Sequence, residues 1–131
     1  NFYGEQKILS SLDNLDFFSY AKKHPFCCKD VTKEQISSEC ERALDKIKKI
    51  IADNKYDLIV LEEFNIAVRD GYINISSLLE AAKKLSEKST VFITGRQAHE
   101  DLIAAADLVS EVKEIKHPYN EGVSAKEGIE F

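Results

Sequence analysis

Two acids, Glu62 and Glu63, close the short apolar run Tyr56-Asp57-Leu58-Ile59-Val60-Leu61, and Gly95-Arg96 closes a second, Thr90-Val91-Phe92-Ile93-Thr94. Carboxylates at such a place hold a hard cation such as Mg2+, directly or through water, or polarise an attacking group. A guanidinium clamps phosphate or carboxylate oxygens with paired donors, and the glycine before it permits a tight turn. Together the two clusters suit a metal–polyphosphate ligand. Each also has a plainer reading. Strands end in Asp or Glu where the chain emerges into solvent, and Arg96 has Glu100 and Asp101 nearby in sequence for a structural ion pair.

The chemistry needs both clusters on one rim, and the elements predict that. Both runs are short, rich in branched residues and separated by a helix-like stretch, as parallel strands buried on both faces are. In sheets of this kind ligands bind beyond the carboxyl ends of the strands. A plausible strand at Leu15–Tyr20 precedes a loop over residues 22–29 that Pro25 breaks. Thr32 with Gln35 fits a capping box, and Ile36, Cys40, Leu44, Ile47 and Ile51 then recur at helical spacing up to about Asn54. After the first buried strand, Phe64–Tyr72 is semi-apolar and ends in a turn at Asp70-Gly71. Ser77 and Glu80 fit a second capping box, with Leu78, Leu79, Ala82 and Leu85 as the core face. A third helix is expected over Ala98–Ala106 with Leu102, Ile103 and Ala106 inward, then a strand over Leu108–Ile115 and an irregular tail from Lys116 to Phe131.

This alternation predicts an α/β fold: a mainly parallel sheet flanked by helices on both faces, in one domain over residues 1–131. With 131 residues, 44% of them apolar, the chain is large enough for a real core. A net charge of −5, with lysines dispersed among acids, argues against nucleic acid as a partner. No apolar run approaches the roughly 18–20 residues that span a bilayer, and no basic-then-apolar leader opens the sequence, so the reading is no membrane and a cytoplasmic location. Cys27, Cys28 and Cys40 have no metal spacing, and His24, His99 and His117 lie in separate segments. His117, beside Lys116, is the better ligand-contact candidate among the histidines.

Several segments then match one family in order and at sensible spacing. Asp57-Leu58-Ile59-Val60-Leu61-Glu62-Glu63-Phe64-Asn65, Val91-Phe92-Ile93-Thr94-Gly95-Arg96, Ala106-Asp107-Leu108-Val109-Ser110-Glu111, Lys116-His117-Pro118-Tyr119 and the tail from Gly122 to Phe131 resemble the P-loop type ATP:corrinoid adenosyltransferases. The resemblance implies a P-loop NTPase-like (RecA-like) doubly wound sheet and transfer of the 5′-deoxyadenosyl group of ATP to a Co(I) corrinoid with release of triphosphate. That reaction makes adenosylcobalamin, in biosynthesis or salvage. It further implies Mg2+, a homodimer and a reducing flavoprotein as partner.

Residue by residue, the resemblance implies that Glu63 is the strand-end acid near Mg2+ and the phosphates, with Glu62 standing where the family usually has Asp. Asn65 matches a polar position beyond that strand, and Arg96 the arginine of a Thr-Gly-Arg turn. These four are expected at the nucleotide. Phe26 falls at an aromatic of the corrinoid-facing loop, where Pro25 and Cys28 depart from the usual Gly-Phe-Thr-Trp form. With His117 it is expected at the corrinoid. No strand and Gly-Lys-Thr phosphate loop stand ahead of the segment resembling Asn1–Glu5, so the N-terminal βαβ portion is expected to be missing and this chain inactive alone. The alternative is a non-catalytic corrinoid-binding or interaction module on the same fold.

Overall fold

Helix α2, Lys33–Asp53, is the longest element at 21 residues. The computed structural model describes residues 4–20, 30–126 and 128. Thr32 caps α2 as its type predicts. Its side-chain oxygen accepts the Gln35 N–H at 3.3 Å, and Gln35 Oε1 accepts the Thr32 N–H at 2.9 Å, so two orphan donors of the first turn are satisfied. Asn54 stops the helix in the left-handed conformation, at φ 48°, donating its N–H to the Ile51 carbonyl. Its side-chain oxygen also accepts the Ser86 N–H at 3.2 Å, tying the end of α2 to the loop before the second strand.

Strand β1, Leu58–Leu61, pairs in parallel with β2, Thr90–Ile93, with Leu58 opposite Thr90 and Leu61 opposite Ile93. Between them lie α3, Phe64–Arg69, and α4, Ile75–Ala82; α5, Glu100–Ala105, follows β2. The buried stripe of α2 meets Ile59 and Leu61 of β1, Phe64 and Val68 of α3, Ile73, and Ile75, Leu78 and Ala81 of α4 in one apolar cluster. Ile51 and Leu78 are its fully buried members, each worth roughly 1.5–3 kcal/mol over exposure.

The chain divides into two compact units, Tyr20–Val109, which holds these elements from α2 to α5, and Asn1–Ser19 with Ser110–Phe131. The second unit carries α1, Gly4–Leu9, and a 3-10 turn, Pro118–Glu121.

An α/β arrangement with a parallel sheet is thus present, and it is smaller than expected. Among the described residues two strands are paired, in the order β1–β2. Leu15–Tyr20 and the Leu108–Ile115 stretch are irregular among the described residues, because an apolar run becomes a strand only where a ladder partner accepts its backbone groups. The strands are also buried on one face, not two. Ile59 and Leu61 face the helices, while Leu58, Val60 and Phe92 are each more than half exposed. The apolar stripes of α2 and α4 both serve the first face.

Local detail differs as well. The cap of α4 is Asn74, whose side-chain oxygen accepts the Ser76 N–H at 2.9 Å, and Ser77 lies inside the helix. Moving the start earlier turns Ile75, Leu78 and Ala81 inward and leaves Ala82 exposed. The semi-apolar stretch after Glu63 is helical from Phe64. In α5 Leu102 is half-buried, and Ile103 and Ala106 are exposed.

Candidate functional site

Beyond Leu61 the chain leaves β1 through Glu62 and turns at Glu63, which adopts φ 53°, ψ 18° at the start of α3. A non-glycine residue there is sterically disfavoured. The end of β2 holds it in place. Thr94 N–H donates to the Leu61 carbonyl at 3.1 Å, and Asn65 N–H donates to the Thr94 carbonyl at 3.2 Å. The Thr94 hydroxyl oxygen accepts the Glu63 N–H at 3.1 Å, and Asn65 Nδ2 donates to the Gly95 carbonyl at 3.2 Å. The two strand-end turns are therefore stitched to each other, and one rim carries Glu62, Glu63 and the turn into Arg96.

Gly95 makes the stitch possible. It sits at φ 121°, and a Cβ there would stand 3.1 Å from Asn65 Cβ and 3.3 Å from the Glu63 carbonyl carbon. Gln97, at φ 57°, is a second left-handed residue in the same turn.

Among the residues expected at the nucleotide, Glu62, Glu63 and Arg96 are exposed and Asn65 is buried. Arg96 has no hydrogen bond or ion pair among the described residues; the expected alternative partner Asp101 instead lies against His99 Nδ1 at 3.6 Å. Asn65 is 5% exposed, and its Oδ1 is buried without a hydrogen-bond partner. A buried acceptor left unpaired costs about 1–3 kcal/mol, so this atom marks the rim as a place lacking a donor.

Sequence reasoning passed over two residues of this rim and a third close enough to act on it electrostatically. Thr94 and Gly95 entered only as parts of a turn, and their bonds run to residues 31 and 30 positions away, where no local pattern can show them. The third is Arg69, at the end of α3. Its guanidinium is forked onto Asp70, with Nε–Oδ1 at 2.6 Å. That hydrogen bond is the main reason its pKa is raised against desolvation, and the charges of Asp70 and Glu63 add to it. Glu63 thus lies within electrostatic reach of a cation on its own helix. A basic residue in the last turn was the available signal.

The donor set fits a magnesium ion carried by a phosphate ligand. Mg2+ is commonly held through one or two carboxylates together with substrate phosphates and water. Glu62 and Glu63 supply carboxylates, and the orphaned Asn65 Oδ1 is a further hard oxygen. A protein-only cage is not there: among the described residues no group of three or more His, Cys, Asp or Glu side chains is arranged to hold a metal.

Phe26 lies outside the described residues. His117 belongs to the other unit, where its Nδ1 accepts the Tyr119 N–H at 3.1 Å and caps the 3-10 turn, with its ring edge-on to Tyr119. No helix among the described residues is long and apolar enough to cross a membrane.

Comparison with known proteins supplies the family. The model of the family described as ATP:corrinoid adenosyltransferase BtuR/CobO/CobP matches residues 1–131. A corrinoid adenosyltransferase of Sinorhizobium sp is 42% identical over 92 residues, covering 70% of this chain and 43% of that protein. One of Pseudomonas aeruginosa is 34% identical over 94 residues, covering 72% and 46%. One of Escherichia coli K12 is 31% identical over 99 residues, covering 76% and 50%. The chain spans about half the length of these relatives. A match running from the first residue to the last, through the strand ends that carry Glu63 and Arg96, shows that the chain belongs to the ATP:corrinoid adenosyltransferase BtuR/CobO/CobP family.

Proposed function

We propose that this chain is the C-terminal part of an ATP:corrinoid adenosyltransferase domain of P-loop NTPase-like fold, and that its stitched rim receives the Mg-triphosphate of ATP. One observation carries the reading: hydrogen bonds from Glu63 and Asn65 to Thr94 and Gly95 bring an acidic strand end and the turn into Arg96 to one edge of the sheet. The relatives, named as corrinoid adenosyltransferases, supply the reaction class and the corrinoid.

Glu63, with Glu62 beside it, would hold Mg2+ directly or through water, and the ion would supply neutralisation of phosphate charge. Arg96, unpaired among the described residues, clamps phosphate oxygens with its two-pronged donor set. Asn65 offers its free Oδ1 to a donor on the nucleotide. The Co(I) corrinoid supplies the nucleophile: its electron pair forms the cobalt–carbon bond at ribose C5′ as the C5′–oxygen bond breaks and triphosphate leaves with that pair. Little covalent work falls to the protein, whose task is positioning and charge neutralisation. Phe26 contacts the corrinoid, and an apolar setting for the ring would discourage a lower axial ligand so that Co(II) is reduced more readily. A reducing flavoprotein delivers the electron, two copies of the protein form a homodimer, and the reaction runs in the cytoplasm.

The test is Glu63→Gln in the intact protein. Adenosylation is expected to fall by about 100-fold or more, the scale of losing a preorganised electrostatic contact. The melting temperature should scarcely move, because the side chain is exposed. Undiminished turnover removes Glu63 from the site and with it this reading of the rim.

A further inference from the structure

We infer that Thr94 is a positioning residue for Glu63, its hydroxyl fixing the main-chain turn from which the Glu63 carboxylate projects. The inference rests on the role proposed above for Glu63. Thr94 meets the facing strand end and turn at three places: it donates to the Leu61 carbonyl, accepts from the Asn65 N–H and accepts from the Glu63 N–H. The first two bonds are main chain to main chain, and any residue at this position would make them. They suffice to hold the strand ends together. The third is made by the side chain, and it acts on one peptide group alone.

That peptide group belongs to a strained residue. Glu63 lies at φ 53° with no side-chain cap of its own, and such a conformation persists only where its surroundings over-determine it. Its φ sets the direction in which the Cα–Cβ bond leaves the strand end. Without the Thr94 acceptor the Glu63 N–H has only water to meet, and the turn is free to relax toward the ordinary right-handed or extended regions. The carboxylate would then leave the rim on a different heading. The strand pairing would survive, since the Leu61 and Asn65 bonds do not involve the hydroxyl. A residue with this division of labour serves the geometry of an acid more than the fold.

The experiment compares Thr94→Val, which keeps the shape and deletes the acceptor, with Thr94→Ser, which keeps the acceptor, and with the smaller Thr94→Ala, all in the intact protein. Two readouts are taken, amide hydrogen exchange at Glu63 and corrinoid adenosylation at varied Mg2+. Thr94→Val and Thr94→Ala are expected to speed exchange at the Glu63 amide about tenfold and to lower turnover by a similar factor, the worth of one hydrogen bond. More Mg2+ should be needed for half-maximal rate. Thr94→Ser should recover most of both losses. Unchanged exchange in Thr94→Val overturns the inference, as does a turnover loss that Thr94→Ser fails to recover, because packing would then be the cause. Should Glu63→Gln retain full turnover, the proposed function fails instead, while the exchange arm still decides whether Thr94 holds the Glu63 turn.

Discussion

Asn65 donates its side-chain amide to the carbonyl of Gly95 at 3.2 Å, and the hydrogen that Gly95 carries in place of a Cβ leaves room for that approach. A methyl group at Gly95 would stand 3.1 Å from Asn65 Cβ and 3.3 Å from the Asn65 nitrogen, atoms that cannot swing aside. The glycine therefore has two separate reasons to be there: its positive φ and the closeness of the facing turn.

Gly95→Ala tests this. Strain at φ 121° and the contact with Asn65 should together destabilise the fold by about 1–3 kcal/mol. Denaturant unfolding measures it through the midpoint, with the slope unchanged. A neutral Gly95→Ala would show that the turns part readily.

Glu63→Gly is expected to act in the opposite direction on stability. Removing the side chain relieves the left-handed conformation and should raise stability by up to about 1 kcal/mol, while activity of the intact protein is lost with the carboxylate. A melting temperature that rises as turnover vanishes is the signature of an acid kept at a cost to the fold. A clear fall in melting temperature would mean that Glu63 contributes stability of its own.

Cys40 gives a dependence on pH. Burial in the α2 stripe, and after it the charge of Glu39, push its thiol above the ordinary value of 9.0. The folded state then holds the proton more tightly than the unfolded chain. Its contribution to stability is complete below the unfolded pKa and is lost as pH rises through that value and on through the folded one. Thermal stability should fall above about pH 9 more steeply in the parent than in Cys40→Ala. With Cys27 and Cys28 replaced by serine, alkylation of the remaining thiol should be slow until the protein unfolds.

Much of this was open to reading in the chain. Helix α2 announced itself through Thr32, Gln35 and five apolar residues at helical spacing, and all five are buried. That works because capping and periodicity are local, and here nothing opposed them. The strand ends were readable for the same reason. At α4 two polar residues competed for the cap, and Asn74 prevailed over Ser77 because the helix gains Ile75 for the core by starting sooner. The Leu15–Tyr20 and Leu108–Ile115 stretches had strand-like composition, yet strands depend on partners that composition cannot supply. The rim was half legible. Glu63, Asn65 and Arg96 stood out by type and place. Thr94 did not, since the importance of its hydroxyl lies in a residue 31 positions earlier.

The parallel pairing of β1 with β2 requires a crossover, and α3 and α4 are that crossover. Leu58 finds Thr90 only once the 31 intervening residues have been laid down and packed. The acidic turn at Glu63 is therefore made early along the chain but shaped late, when the second strand arrives with its threonine. Loosening α4 at Leu78, whose side chain meets no ligand, would slacken the grip on an acid it never touches, so damage to the hidden side of this domain is expected to surface first as clumsy handling of phosphate.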